Sequence, residues 1–168
     1  MRNETTEKHK KLSSDDIVCG IITLSDTITT NKEDLSGQYL ANEISKRYKL
    51  KSKIIIRDEK KELIENIENM ITNNIDVILT TGGTGLDSRD ITVETIESIF
   101  DKKIEGFGEI FRHQSFLEIG SGALISRATA GVYKKTVIFS MPGSPNAVKT
   151  ASNIIIDELP HLVFHAQK

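Results

Sequence analysis

Short apolar runs alternate along this chain with polar stretches whose apolar residues recur at helical spacing, and that alternation predicts an α/β protein. Residues 17–24, IVCGIITL, form a nearly continuous apolar run that reads as a buried strand ending at polar Ser25, Asp26 and Thr27. A polar loop over 28–34 precedes a helix over 36–48, with Leu40, Ile44 and Tyr48 one turn apart on its inner face. Residues 53–58 predict a second strand, and 60–71 an amphipathic helix burying Leu63, Ile67, Met70 and Ile71. A third strand over 76–81 leads through a glycine turn to a helix over 92–100. Beyond it the pattern predicts a turn at 104–108, a helix over 109–118, a break at 120–122, two short strands over 128–133 and 136–140, and a helix over 146–158. The expected architecture is a three-layer α/β sandwich: a mostly parallel sheet, helices on both faces and a small antiparallel excursion near 128–140.

Residues 1–14 carry no apolar periodicity and are expected to be a flexible N-terminal arm ahead of one domain over 15–168. A formal charge of −2 gives no basic footprint for nucleic acid. No apolar run approaches the ~18 residues of a membrane span, and the polar N-terminus has no signal-like core, so the expected location is the cytoplasm. The single cysteine, Cys19, lies in the first apolar run and is expected to be a core residue rather than a nucleophile. His161 and His165 have the i, i+4 spacing of a zinc clamp but lack neighbouring acid or cysteine ligands, so surface or interface histidines are the better reading.

The most informative stretch is 80–95, TTGGTGLDSRDITVET. Gly82, Gly83 and Gly85 allow backbone conformations and close ligand approach closed to other residues, and Thr92 reads as the N-cap of the next helix, a favourable place for an anion. A Walker loop fits poorly because Leu86 and Asp87, not Lys and Ser or Thr, follow the last glycine. A dinucleotide-binding turn fits poorly, since the loop follows the third strand and no acidic residue ends a strand about 20 residues on. Asp90 in the same loop would oppose a bound phosphate by about 3 kcal/mol at ~5 Å and an effective dielectric of ~20. A divalent cation between them removes the conflict, and Asp58, leaving another strand end of the inferred sheet, could share it. The plainer alternatives are a tight turn for the glycines and an N-cap or loop role for Asp58 and Asp90.

The order of the loops carries a resemblance. LSDT at 24–27, DLSG at 34–37, RDE at 57–59, TTGGTGLDSRDIT at 80–92, EGFGE at 105–109, ISRATAG at 125–131 and MPGSPNAV at 141–148 together resemble the MoaB/Mog family of molybdenum cofactor biosynthesis proteins, most closely its protein B branch. The resemblance runs from Ile17 to Glu158 and implies a molybdopterin-binding domain with adenylyltransferase chemistry, in which ATP adenylylates the terminal phosphate of molybdopterin with release of pyrophosphate and a requirement for Mg²⁺. It implies catalytic and Mg²⁺-binding roles for Asp58 and Asp90 and a nucleotide phosphate loop at Gly82, Gly83, Thr84 and Gly85. It implies a pterin side at Ser115, Ser126, Arg127, Pro142, Gly143 and Ser144. Arg127 would pair with the pterin phosphate, as a guanidinium can do bidentately; the plainer alternative is a structural arginine. Where the family usually has proline after the threonine of Asp-x-Thr, this chain has Val93, which should weaken the helix start slightly and leave the chemistry unchanged.

The resemblance also implies a homotrimer or a hexamer of two trimers, for which the apolar residues of 107–117 offer an interface, and hand-over to a molybdenum-insertion protein. Two other functions remain open from sequence: a molybdopterin-binding carrier without turnover, and an oligomerising interaction domain.

Overall fold

A computed structural model describes residues 16–168; the predicted arm at 1–14 lies outside them. The chain runs β1 (Val18–Leu24), α1 (Leu35–Ser45), β2 (Lys49–Ile56), α2 (Lys60–Thr72), β3 (Val77–Thr81), α3 (Thr92–Glu97), β4 (Lys102–Lys103) and α4 (Glu105–Ile119). A 3₁₀ segment (Gly120–Ile125), β5 (Thr129–Tyr133), β6 (Thr136–Met141), α5 (Pro145–Ile155), a 3₁₀ turn (Ile156–Glu158) and α6 (Leu159–Ala166) complete it. The strands form one six-stranded sheet in the order β2-β1-β3-β6-β5-β4. β2, β1, β3 and β6 are parallel, while β5 and β4 are antiparallel additions at one edge.

Alternating side chains of the central strands feed two cores. Ile21, Leu79 and Phe139 face α1, α4, α5 and α6 with Leu40, Phe111, Val148 and Leu159, whereas Ile22, Ile78 and Ile138 face α2 and α3 with Leu63, Ile67 and Ile96. The sheet is therefore covered on both sides, as a parallel sheet of near-continuous apolar strands must be. Cys19 is fully buried there, and burial pushes its thiol up to about 12, in keeping with a core role.

The structure corrects several boundaries. β2 starts at Lys49 and ends at Ile56, because an edge strand tolerates the outward lysines of KLKSKIII; Asp58 thus stands in the following loop. The turn expected at 104–108 is the first turn of α4, since Phe107 is buried edge-on against Phe139 and Gly108 allows close approach to the Ala128 carbonyl. β4 was not predicted; two exposed lysines have no strand pattern, and backbone pairing with β5 alone defines them. α1 stops before Tyr48, whose buried ring sends its hydroxyl to the Ile156 carbonyl at 2.7 Å. Residues 159–166, read as a tail, form α6 with Pro160 in its first turn, where a missing N–H costs nothing.

What positions a site is the sheet's polarity. Because β1, β2, β3 and β6 are parallel, the segments that follow them, at 25–34, 57–59, 82–91 and 142–144, leave the same edge. That edge is where open α/β sheets place ligands.

Candidate functional site

The glycine loop is shaped by β1 and α3. Gly82 and Gly83 adopt φ of +98° and +63°, and a Cβ on Gly82 would stand 2.2 Å from the Leu24 carbonyl oxygen, so side chains are excluded on both counts. Thr92 is not the N-cap of α3; Ile91 takes that position without a side-chain cap. Instead the Thr92 hydroxyl donates to the Gly82 carbonyl at 2.9 Å and its N–H donates to the Gly83 carbonyl at 2.9 Å. Thr92 fixes the loop rather than the helix. Thr92→Val, which keeps the shape and leaves the Gly82 carbonyl unpaired, is expected to lower stability by about 1–2 kcal/mol, as measured by thermal unfolding.

Two acids press on this loop, Asp58 from the segment after β2 and Asp90 from the loop's own far end. A Cβ on Gly83 would meet Asp58 Oδ1 at 2.6 Å, and one on Gly85 would meet Asp90 Oδ2 at 2.5 Å. Asp90 Oδ2 accepts the Asp87 N–H at 2.9 Å. Asp58 Oδ1 is buried and has no hydrogen-bond partner, and burial, then the charges of Asp26 and Asp90, push its carboxyl above the usual range. Asp58 is not a helix cap, since Glu59 precedes α2. Arg89 stands above them as a clasp: Nη2 lies 2.8 Å from Asp26 and 3.2 Å from Glu59, joining the loops after β1, β2 and β3. Its hydrogen bond holds Asp26 below the usual carboxylate range.

Among the described residues no three acid, histidine or cysteine side chains converge on a metal position. Two carboxylates, one with an unpaired buried oxygen, are nonetheless the donor set expected of Mg²⁺, which completes its octahedron with substrate phosphates and water. The residues fit that ion better than a protein-enclosed metal such as zinc; on α6 the rings of His161 and His165 lie 4.7 Å apart, tilted by 47°.

Beside the loop opens a cavity of about 460 Å³, within the range of small-molecule sites. Gly82, Gly83, Thr84, Gly85, Asp90, Ser115, Ser126, Pro142, Gly143 and Ser144 all line it, between apolar walls that include Phe111, Ile119 and Ile125. The strand-end segment 142–144 is held by its neighbours: the Ser36 hydroxyl donates to the Gly143 carbonyl at 2.7 Å, the Thr81 hydroxyl to Pro142 at 3.1 Å, and Ser144 caps α5 by accepting the Ala147 N–H at 3.2 Å. Ser126 Oγ is buried without a partner at the cavity's margin.

Asp58 lies under Gly83 and outside the cavity lining, and Arg127 also lies outside it. The Arg127 guanidinium donates to the carbonyls of Thr84 at 3.1 Å and Asp90 at 3.3 Å and pairs with Glu94, so in this structure it braces the loop from behind. Sequence reasoning gave no role to Arg89, Glu118 or Thr150. The last two belong to different helices, and only their packing brings them to one wall of the cavity.

A parallel sheet with a glycine loop, paired acids and a hollow at its carboxyl edge defines an α/β protein with a small-molecule cavity at the ligand-binding edge of its sheet. The chain belongs to the MoaB/Mog family of molybdenum cofactor biosynthesis proteins: residues 20–161 match the family described as "Probable molybdopterin binding domain". The chain is 41% identical to molybdenum cofactor biosynthesis protein B of Staphylococcus carnosus, over 98% of this chain and 99% of that one. It is also 41% identical to a molybdopterin adenylyltransferase of Pyrococcus furiosus, over 96% and 98% of the two chains. Among solved structures, the tungsten cofactor synthesizing protein MoaB from Pyrococcus furiosus superposes with a TM-score of 0.87 at 40% identity, covering 93% of this chain and all of that one.

Proposed function

We propose that this chain is a molybdopterin adenylyltransferase of molybdenum cofactor biosynthesis, taking ATP and molybdopterin as substrates. The observation that carries the reading is the convergence of Asp58 and Asp90 on the backbone of Gly83 and Gly85, with one Asp58 oxygen buried and unpaired. A phosphate on the loop of Gly82, Gly83, Thr84 and Gly85 would meet two carboxylates, a combination that is favourable only with a cation between them. Mg²⁺ held by Asp58 and Asp90 would supply that neutralisation as pyrophosphate departs.

The protein's own contribution is placement. The glycine loop seats the nucleotide phosphates, and Ser115, Ser126, Pro142, Gly143 and Ser144 hold the pterin in the adjoining cavity, so that an oxygen of its terminal phosphate faces the α-phosphorus of ATP. That oxygen forms the new P–O bond while the bond to the β-phosphate breaks, and no protein nucleophile is required. Arg127 serves the pterin phosphate only by exchanging Glu94 for it. The decisive assay incubates the purified protein with molybdopterin, ATP and Mg²⁺. Mg²⁺-dependent adenylylated pterin supports the reading, whereas molybdopterin binding without product would make the chain a carrier.

The same reading places the protein in the cytoplasm, as a homotrimer or hexamer that passes its product to the molybdenum-insertion protein. Support for self-association is an exposed apolar band on α4 and the following 3₁₀ segment, including Ile110, Phe116, Leu117 and Leu124, the last 85% exposed. Phe116→Glu is expected to shift the protein to monomers at micromolar concentration in analytical ultracentrifugation, because charges at the core of an apolar interface are strongly disfavoured. An unchanged sedimentation profile would remove this band from the interface. Among the described residues no helix is long and apolar enough to cross a membrane.

A further inference from the structure

Resting on the adenylyltransferase reading, we propose that Glu118 is the residue that selects the pterin, by accepting the two adjacent N–H donors of its 2-amino-4-oxo pyrimidine edge. Glu118 lies near the end of α4 and lines the cavity on a wall that the glycine loop does not form. Thr150 of α5 lines the same wall, and its hydroxyl lies 2.8 Å from one Glu118 oxygen and 3.1 Å from the other. One hydroxyl spanning both oxygens fixes the carboxylate across two helices and leaves most of its lone pairs for a ligand.

The chemistry of that group narrows the occupant. An ionised carboxylate only accepts, and its two oxygens match two parallel donors. A 2-amino-4-oxo pterin presents such a pair in N3–H and the 2-amino group. Adenine presents a donor beside an acceptor on its Watson–Crick edge, so one Glu118 oxygen would face a lone pair. Phe111 and Ile119 of the same helix supply apolar wall for a flat ring. The cavity therefore has a polar end suited to phosphates, at the glycine loop, and a separate carboxylate suited to the pterin edge.

The test titrates parent, Glu118→Gln and Thr150→Val proteins with molybdopterin, ATP, 6-hydroxymethylpterin and 6-hydroxymethyllumazine, following ligand fluorescence or calorimetry, with thermal midpoints to verify folding. Lumazine carries a carbonyl where pterin carries the amino group. The expected result is a loss of about 10- to 100-fold in molybdopterin affinity for Glu118→Gln, the size of a charge-assisted pair, with ATP affinity unchanged. The parent's preference for pterin over lumazine should shrink in the same variant, and Thr150→Val should show a smaller loss in the same direction. In turnover, KM for molybdopterin should rise with kcat nearly constant. Unchanged pterin affinity in folded Glu118→Gln, or a loss confined to ATP, overturns the proposal while leaving adenylyl transfer intact. A parent that binds no pterin at all removes the underlying reading, and this one with it.

Discussion

Asp90→Asn is expected to lower adenylyl transfer by about 10³-fold while leaving the fold unchanged, the scale on which a single preorganised electrostatic group acts. The substitution is a clean one. Asp90 is half-buried against Gly85, and an asparagine oxygen can still accept the Asp87 N–H that shapes the loop. What disappears is the charge. Thermal unfolding within about 1 kcal/mol of the parent, together with lost Mg²⁺-dependent product, would separate chemistry from folding. Asp58→Asn should behave alike in turnover, and because burial and neighbouring acids already oppose the Asp58 charge, it should not destabilise the protein. Parental rates from folded Asp90→Asn protein would remove Asp90 from the reaction.

Asp34→Ala is expected to produce the largest loss of stability, about 3–5 kcal/mol, because it breaks a buried ion pair and leaves its partners unmatched. Asp34 is fully buried at the start of α1. One oxygen accepts the Gly37 N–H at 2.8 Å; the other accepts the Thr23 hydroxyl at 3.0 Å and lies 2.7 Å from Lys53 Nζ, itself only 15% exposed. A single carboxylate thus ties β1, β2 and α1 together. The thermal midpoint should fall by about 10 °C, given about 2–4 °C per kcal/mol for a chain of this length. Lys53→Met added to Asp34→Ala should recover part of the loss, since the uncompensated ammonium goes with it. A fall of under 1 kcal/mol in the single variant would show that solvent enters and replaces the pair. Because Asp34 anchors the segment that carries Asp26, turnover should fall with stability near the unfolding transition.

The local features of the site were readable from residues alone. Gly82, Gly83 and Gly85 lie close in sequence to Asp90, and their chemistry follows from what glycine permits and what a carboxylate repels. Thr92 shows the limit: threonine before an apolar run is a good cap signal, but the helix starts at Thr92 itself and its hydroxyl donates to the Gly82 carbonyl, a partner that only the folded loop supplies. For Arg127 the sequence left a pterin-phosphate partner, implied by the resemblance, and a structural arginine both open, because its partners Thr84, Asp90 and Glu94 are brought to it only by the packing of α3 against β5.

Phe107 and the two-residue β4 failed for a related reason. Glycines at 106 and 108 advertise a turn, yet burying Phe107 against Phe139 outweighs about 1 kcal/mol per glycine in helix propensity. β4 has no side-chain signature and exists through its pairing with β5.

By itself the sequence determined the layers, the parallel sheet and the identity of the glycine and aspartate groups, since periodicity and backbone permissiveness are properties of neighbours along the chain. Tertiary structure alone decided that Asp58 would lie against Gly83, that Arg89 would clasp three loops, and that Glu118 and Thr150 would meet across two helices. Those arrangements depend on strand order and helix packing, which place residues far apart in sequence within a few ångströms and set the burial that gives their charges consequence.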